Sequence, residues 1–212
     1  LVMTQNAKKV ILESFQSERH PIIRNAVRKA NALTNMMVFD KKFFHKLHEF
    51  SKSLSNKEFS KQSAEELMQL DIHYDNSPII NYGKKIAGAS PKQGMRAPNV
   101  NISDSKHLYH YLSANHTIFV FAGKEKNISE EFIQTMKNIK MRFSDIANLY
   151  LISSDNIEGI DVILDNGYYI HDKYHLEDKA IYIIRPDTYI GYFSVEPNIQ
   201  DIELFFKKFL IN

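Results

Sequence analysis

Three pairs of histidines are the residues whose type and spacing first suggest chemistry. The pairs are His45/His48, His107/His110 and His171/His175. On a helix, residues three or four apart can lie on one face, so each pair could offer two imidazoles to a metal ion. A metal site needs three or four converging ligands and groups that orient them, and no third ligand is evident. We therefore expect solvated or capping histidines and no metal site.

Thiol chemistry is excluded more firmly, because the 212 residues contain no cysteine. Without a thiol there is no disulfide, no thiolate nucleophile, no cysteine-based zinc site and no dithiol redox chemistry. The composition is otherwise that of a globular protein, with 43% hydrophobic and 25% charged residues. A reducing, cytoplasmic location fits the cysteine count, and we expect the protein there.

Glycine is scarce, with seven in the chain, and no two glycines are separated by a single residue. A Gly-x-Gly-x-x-Gly turn therefore cannot be written, and no glycine begins a P-loop. A backbone must come close to a diphosphate to bind it, and glycine makes that approach possible. We expect no catalytic and no cofactor-binding residues in this chain.

Positive charge is concentrated in the first part of the chain. Residues 1–60 carry 11 Lys and Arg against 5 Asp and Glu, although the net charge of the whole chain is only +2. Such a segment could meet nucleic acid or an acidic partner, but a solvated helix face explains it more simply. The remaining chain is acidic, and no apolar run approaches the ~20 residues of a membrane span. We expect neither nucleic acid nor a membrane as a partner.

The first 72 residues have a helical pattern. One apolar stripe recurs at intervals of three and four residues: Ile11, Phe15, Ile22, Ala26, Ala30, Leu33 and Met37. Pro21 removes a backbone donor, so we expect a kink or a restart near His20. Asp40 can cap a second helix, and Ser63 to Glu66 has the spacing of a capping box for a third.

Residues 73–99 read as a connector, and residues 100–212 as an α/β domain. Proline, glycine and serine punctuate the connector, which has no sustained period. Apolar runs of strand length occupy residues 117–122, 149–152, 180–184 and 189–193, with helical patterns over 128–140 and 198–210 and a short third element at 168–174. The predicted elements follow the thioredoxin-like order of strand, helix, strand, hairpin and helix. The helix between the first two strands predicts that these strands pair in parallel. The turn at 185–188 has proline in second position, and its β-branched Thr188 favours type I without a positive φ.

Five segments resemble motifs of the FAD-dependent aromatic-ring monooxygenases, the flavoprotein hydroxylases built like para-hydroxybenzoate hydroxylase. They are residues 12–22 (LESFQSERHPI), 74–79 (YDNSPI), 94–98 (GMRAP), 108–112 (LYHYL) and 184–190 (IRPDTYI). They occur in the family's order and at compatible spacing, so the resemblance covers nearly the whole chain. The positions it singles out as structural or interdomain residues are Glu18, Arg19, Pro21, Tyr74, Ser77, Pro78, Arg96, Pro98, Arg185, Pro186 and Asp187. Met95, His110 and Thr188 depart from the family's pattern.

The resemblance implies a parent enzyme that uses FAD and NAD(P)H to hydroxylate a phenolic ring. The family's Gly-x-Gly-x-x-Gly, Asp-Gly and Gly-Asp-Ala motifs are missing, and the chain begins with Leu1. We therefore interpret it as the C-terminal part of such an enzyme, inactive alone, with residues 1–72 resembling the end of the flavin-domain region. Its partner would be the parent's flavin-binding domain or a second copy of the chain. The alternative is a stand-alone, non-catalytic interaction module with a redox-dead thioredoxin-like fold.

Two polar motifs each allow two interpretations. The resemblance implies that Glu18 and Arg19 fix the geometry between domains, whereas the alternative is that they form a surface ion-pair network with Glu13. Arg185 and Asp187 could form an anion site or supply a carboxylate base. We favour a structural role in which Asp187 accepts backbone hydrogen bonds within its turn and Arg185 lies on the sheet surface.

Overall fold

The computed structural model describes residues 7–39, 72–74, 77–80, 91–125, 128–196 and 198–210. The first element is a single helix, α1 (Val10–Phe39), with Pro21 inside it. The expected restart near His20 does not occur, because the helix continues through the proline. The second and third helices predicted from Asp40 onwards lie outside the described residues.

The remainder is a mixed α/β domain whose elements follow in this order: β1 (Asn101–Ser103), β2 (Lys106–His107), a 3₁₀ turn (Leu108–Tyr111), β3 (His116–Phe121), α2 (Glu130–Phe143), β4 (Ala147–Ser153), β5 (Val162–Leu164), α3 (Tyr169–Lys173), β6 (Ala180–Ile184), β7 (Ile190–Ser194) and α4 (Ile199–Lys207). Five strands form one sheet in the order β5-β4-β3-β6-β7. Strands β3, β4 and β5 are parallel, whereas β6 pairs with β3 and β7 with β6 in antiparallel fashion. This is the thioredoxin-like α/β arrangement predicted from the sequence, including the parallel first crossover.

Strand β3 lies at the centre of the sheet, and every one of its residues is buried. Side chains of a strand alternate between faces, so β3 contributes to two cores. Ile118 packs with α2 and α4 on one face, while Phe119 packs on the other face with Tyr182 and the segments around α3. The side chain of Ser129 caps α2 and that of Asn198 caps α4, each by accepting a backbone N–H.

Two short features were not predicted from the sequence. The β1–β2 hairpin and the edge strand β5 contain two or three residues each, too few for a periodic signal. The element expected at residues 168–174 is the helix α3. None of the helices in the described part of the chain is both long and apolar enough to cross a bilayer.

The turn between β6 and β7 corrects one expectation. Thr188 donates its backbone N–H to the carbonyl of Arg185 at 2.9 Å, as a type I turn requires. Thr188 nevertheless has a φ of 73°, the left-handed conformation that its branched side chain was expected to avoid. The reason is pairing on both sides: Arg185 N–H reaches the carbonyl of Tyr189, and the carbonyl of Thr188 accepts from Ala97. These contacts hold the residue after the turn in αL, as in three-residue hairpin loops.

Candidate functional site

Residues from three distant segments meet in a buried ionic cluster beneath α1. Arg185, at the end of β6, binds both carboxylate oxygens of Glu18 at 2.6 and 3.0 Å. The hydroxyl of Ser77 donates to the same Glu18 carboxylate at 2.5 Å. All three residues are at least 90% buried. The arrangement is a bidentate ion pair, the geometry in which arginine binds a carboxylate most strongly.

A second carboxylate completes the charge balance. Arg185 also binds Asp187 at 2.7 Å, and Asp187 is more exposed than Glu18. Burial works to lower the pKa of Arg185, but the carboxylates of Glu18 and Asp187 raise it on balance. The cluster therefore holds one positive and two negative charges, so it offers no surplus charge to an anion.

Aromatic and cationic side chains extend the cluster outwards. The rings of Tyr74 and Tyr189 lie 4.3 Å apart between centroids. The guanidinium groups of Arg19 and Arg185 lie 5.8 and 5.6 Å from the Tyr74 ring, and that of Arg96 lies 5.3 Å from Tyr189. These are cation–π distances. Burial, followed by the influence of Tyr189, raises the pKa of Tyr74, so this phenol is neutral at physiological pH.

Backbone pairing holds the connector against the β6–β7 hairpin. Gly94 donates to the carbonyl of Ile190 at 2.8 Å and accepts from the N–H of Tyr74 at 3.0 Å. A β-carbon on Gly94 would lie 3.0 Å from the carbonyl oxygen of Tyr74, and the φ of Gly94 is +83°. Glycine is thus required here by both conformation and space. Further along, the hydroxyl of Tyr109 donates to the carbonyl of Ala97 at 2.5 Å.

The structure therefore brings together most of the residues that the sequence resemblance singled out. Glu18 and Arg185 form the ion pair that local sequence could not reveal, and Arg185 is buried under α1 instead of lying on the sheet surface. Asp187 accepts the backbone N–H of Tyr189 at 3.4 Å, as the structural interpretation predicted. The carbonyl of Pro98 accepts the hydroxyl of Tyr174, whereas Pro21, Pro78 and Pro186 are exposed.

The described histidines of the three sequence pairs make hydrogen bonds within the protein. His107 and His110 form a capping box on the 3₁₀ turn, in which His107 N–H donates to the ring of His110 at 2.9 Å. The ring of His171 lies 2.7 Å from a carboxylate oxygen of Asp165. No group of three metal-ligating side chains occurs within the described ranges. The pair His45/His48 lies outside them.

The Asp165 carboxylate was not singled out by the sequence analysis. It lies just after β5 and accepts the backbone N–H groups of Ile170 and His171, which begin α3. Burial works to raise the pKa of Asp165, but the His171 ring and the backbone N–H groups lower it on balance. Both residues are almost wholly buried, so the pair fixes the start of α3.

The glycines of the chain do not form the backbone cradle that holds the diphosphate of FAD, because no two of them are separated by a single residue. Of the four described glycines with positive φ, Gly94 and Gly123 lie against backbone, whereas a β-carbon on Gly159 or Gly167 would meet only a side chain, that of Lys137 or Tyr169. A β-carbon on Gly94 would meet the Tyr74 backbone, and one on Gly123 would lie 3.1 Å from the backbone of Asp178. Neither position leaves space for a diphosphate.

The fold and the cluster define a thioredoxin-like α/β domain to which an N-terminal helix is fastened by a buried ion pair. No protein-family model and no curated protein sequence matches the chain. Among solved structures, the rebeccamycin biosynthetic enzyme RebC, determined with reduced flavin, matches with a TM-score of 0.58 and 14% identity. The match covers 95% of this chain and 37% of RebC, so the fold of nearly the whole chain is found within a larger flavin enzyme.

Thioredoxin-like proteins match a smaller part of the chain. AhpC of Mycobacterium bovis matches with 12% identity, a TM-score of 0.43, and coverage of 54% of this chain and 90% of its own. A putative thiol:disulfide interchange protein DsbE of Chlorobium tepidum matches with 11% identity, a TM-score of 0.44, and coverage of 55% and 94%. These similarities carry no functional argument, and the present chain has no thiol with which to perform disulfide chemistry.

Proposed function

We propose that this chain is the C-terminal part of a FAD-dependent aromatic-ring monooxygenase. The observation that carries the proposal is the convergence of the five sequence motifs that resemble this family. Glu18 and Arg185 lie 167 positions apart and form one ion pair, to which Ser77 hydrogen-bonds. Gly94 pairs with Ile190 in the hairpin that follows Arg185, and Tyr109 binds the carbonyl of Ala97 in the Gly94 segment. Short matches that arose by chance would have no physical reason to meet in one place.

The match to RebC supports the same proposal. It includes α1 as well as the thioredoxin-like domain, since it covers 95% of this chain. The part of RebC that it leaves unmatched is larger than the matched part, which leaves room for a flavin-binding region elsewhere in such an enzyme. On this proposal the protein acts in the cytoplasm, in keeping with its lack of cysteine.

Helix α1 presents an apolar face that the described residues do not cover. Leu12, Phe15, Ile23 and Val27 are exposed by 61, 67, 59 and 52%. The side of the helix that faces the domain carries the buried residues Ser14 and Glu18. Contiguous exposed apolar side chains mark interaction surfaces. In our proposal this face packs on the flavin-binding domain of the parent enzyme.

The division of labour follows from this placement. FAD, with NAD(P)H as its reductant, would supply oxygen activation in the parent. The present residues would hold α1 in a fixed orientation on the C-terminal domain and present its apolar face. We propose that the chain alone neither binds FAD tightly nor catalyses hydroxylation.

The direct test is the DNA upstream of the Leu1 codon. We expect an open reading frame encoding Gly-x-Gly-x-x-Gly and Gly-Asp-Ala, and an in-frame stop codon immediately upstream would overturn the proposal. In the product of the complete frame, Leu12→Arg together with Ile23→Arg should lower FAD occupancy, measured by absorbance near 450 nm. Met141→Arg is the matched control, because Met141 is 75% exposed on α2 and should tolerate the charge.

The second candidate is a stand-alone interaction module, favoured by the same exposed face on α1. A second copy of the chain would then cover it. Light scattering coupled to size exclusion separates the two candidates for the isolated chain: a stable dimer that Ile23→Arg dissociates supports the module, whereas a monomer in both forms contradicts it.

A further inference from the structure

A pocket is lined in part by Arg185 and Asp187 of the ionic cluster. Its volume is about 230 Å³, and its lining side chains come from α1, the connector, the start of β3, the β6–β7 turn, α4 and the residues just after α4. The lining residues are Ile11, Ile79, His116, Arg185, Pro186, Asp187, Phe205 and Phe209. A dry apolar cavity of about 150 Å³ is large enough to bind benzene. The pocket can therefore accept one aromatic ring.

His116 is one of the polar residues that line this pocket. Only 9% of His116 is exposed, and its ring packs edge-on or stacked against Phe205, Phe206 and Phe209 at 5.3 to 6.1 Å between centroids. The backbone N–H of His116 donates to the carbonyl of Ile146 at 3.2 Å. The ring nitrogens of His116 make no hydrogen bond to another described residue, and they are not among the polar atoms sealed from solvent, so a molecule in the pocket can reach them.

The charges around the pocket restrict what can enter. Burial, with a smaller effect of Arg185, lowers the pKa of His116 to about 4, so the imidazole is neutral at physiological pH. The guanidinium of Arg185 is already bound by Glu18 and Asp187. An anion would meet the carboxylate of Asp187, and Arg185, the one cationic side chain among the lining residues, is already paired. The chemistry favours an uncharged molecule.

We infer that this pocket binds a small, uncharged aromatic molecule whose single hydroxyl group hydrogen-bonds to His116. The ring packs against Phe205 and Phe209 in the edge-to-face or offset geometry that aromatic side chains prefer. The hydroxyl donates to the unprotonated ring nitrogen of His116 or accepts from the protonated one. The site lies in the present chain and does not depend on the proposed flavin enzyme, so either inference can fail without the other.

The test uses ¹⁹F NMR on the whole chain with three probes of one shape. They are 4-fluorobenzyl alcohol, 4-fluorotoluene and 4-fluorobenzoate. We expect the alcohol to bind about fivefold more tightly than the toluene, which corresponds to one net hydrogen bond, and the benzoate not to bind. Equal affinity of the alcohol and the toluene, or preferential binding of the benzoate, would refute the inference.

Two variants locate the binding. His116→Phe keeps an aromatic ring but removes both nitrogens, so the alcohol and the toluene should bind equally well. His20→Phe, at an exposed position of α1, is the matched control and should retain the fivefold preference. Phe209→Trp should fill the pocket and abolish binding of both probes. Far-UV circular dichroism checks that each variant is folded, and an unchanged preference in a folded His116→Phe protein would contradict the assignment.

Discussion

Acidification should destabilise this protein through a single buried histidine. His116 begins the central strand β3, and its pKa is lowered from 6.5 to about 4 by burial, with a smaller effect of Arg185. In the unfolded chain the same imidazole has its ordinary pKa. Between pH 6.5 and pH 4 the unfolded state therefore binds a proton that the folded state does not. Stability is full above pH 6.5 and falls as the pH decreases through this window.

The size of the effect follows from the two pKa values. Each unit of pKa difference is worth about 1.4 kcal/mol, so the loss between pH 7 and pH 4 is about 3 kcal/mol. That is a large part of the 5 to 15 kcal/mol by which typical domains are stable. Because the His116 side chain is buried, solvent screening does little to reduce this figure.

The assay compares urea unfolding of the natural protein and His116→Phe at several pH values. Ionisable groups other than His116 are present in both proteins and cancel in the comparison. The difference between the two free energies of unfolding isolates the histidine, and it should change by about 3 kcal/mol between pH 7 and pH 4. Two curves that run parallel over this range would show that His116 is solvated or protonated in the folded state, and the reasoning would fail.

Three other substitutions test the junction between α1 and the domain by urea unfolding. Glu18→Ala leaves the buried guanidinium of Arg185 with one exposed carboxylate and should cost about 2 to 4 kcal/mol; a loss below about 1 kcal/mol, the value of a surface pair, would contradict burial of the ion pair. Thr188→Gly should stabilise the protein by about 0.5 to 1 kcal/mol, because it relieves a positive φ at a small cost in unfolded-chain entropy, and a net loss would argue against the turn. Gly94→Ala should cost about 2 to 4 kcal/mol through a positive φ and a collision with backbone, and it should exceed the cost at Gly159, where the φ is similar but only a lysine side chain is near.

The sheet was predictable from the sequence because its strands are continuous apolar runs. Strand β3 was predicted to begin at residue 117, whereas it begins one position earlier, at His116. Its burial arises from the packing of α4, which no local pattern around residue 116 contains. Strand β5 was not predicted, because its three residues are too few to show a period.

The ionic cluster was predictable only in part. The resemblance drew attention to Glu18 and Arg185, but the residues alone suggested exposed charges, which is where such side chains usually lie. Their pairing spans 167 positions and depends on how α1 docks, so it has no local signature. At Thr188 the local sequence preference is known but does not decide the conformation. A β-branched residue disfavours a positive φ, and hydrogen bonds to the connector and within the hairpin override that preference.

The way α1 is attached explains why its apolar side chains point outwards. A buried ion pair contributes little net stability, because the desolvation of both charges offsets much of their attraction, but it is intolerant of misplacement. The contact between Glu18, Ser77 and Arg185 thus fixes the rotation of the helix about its own axis. With Glu18 inwards, Leu12, Ile23 and Val27 must face away from the domain. The cluster therefore selects which side of α1 the described residues leave uncovered, and burial of the apolar side chains on that side against a further surface would stabilise the helix.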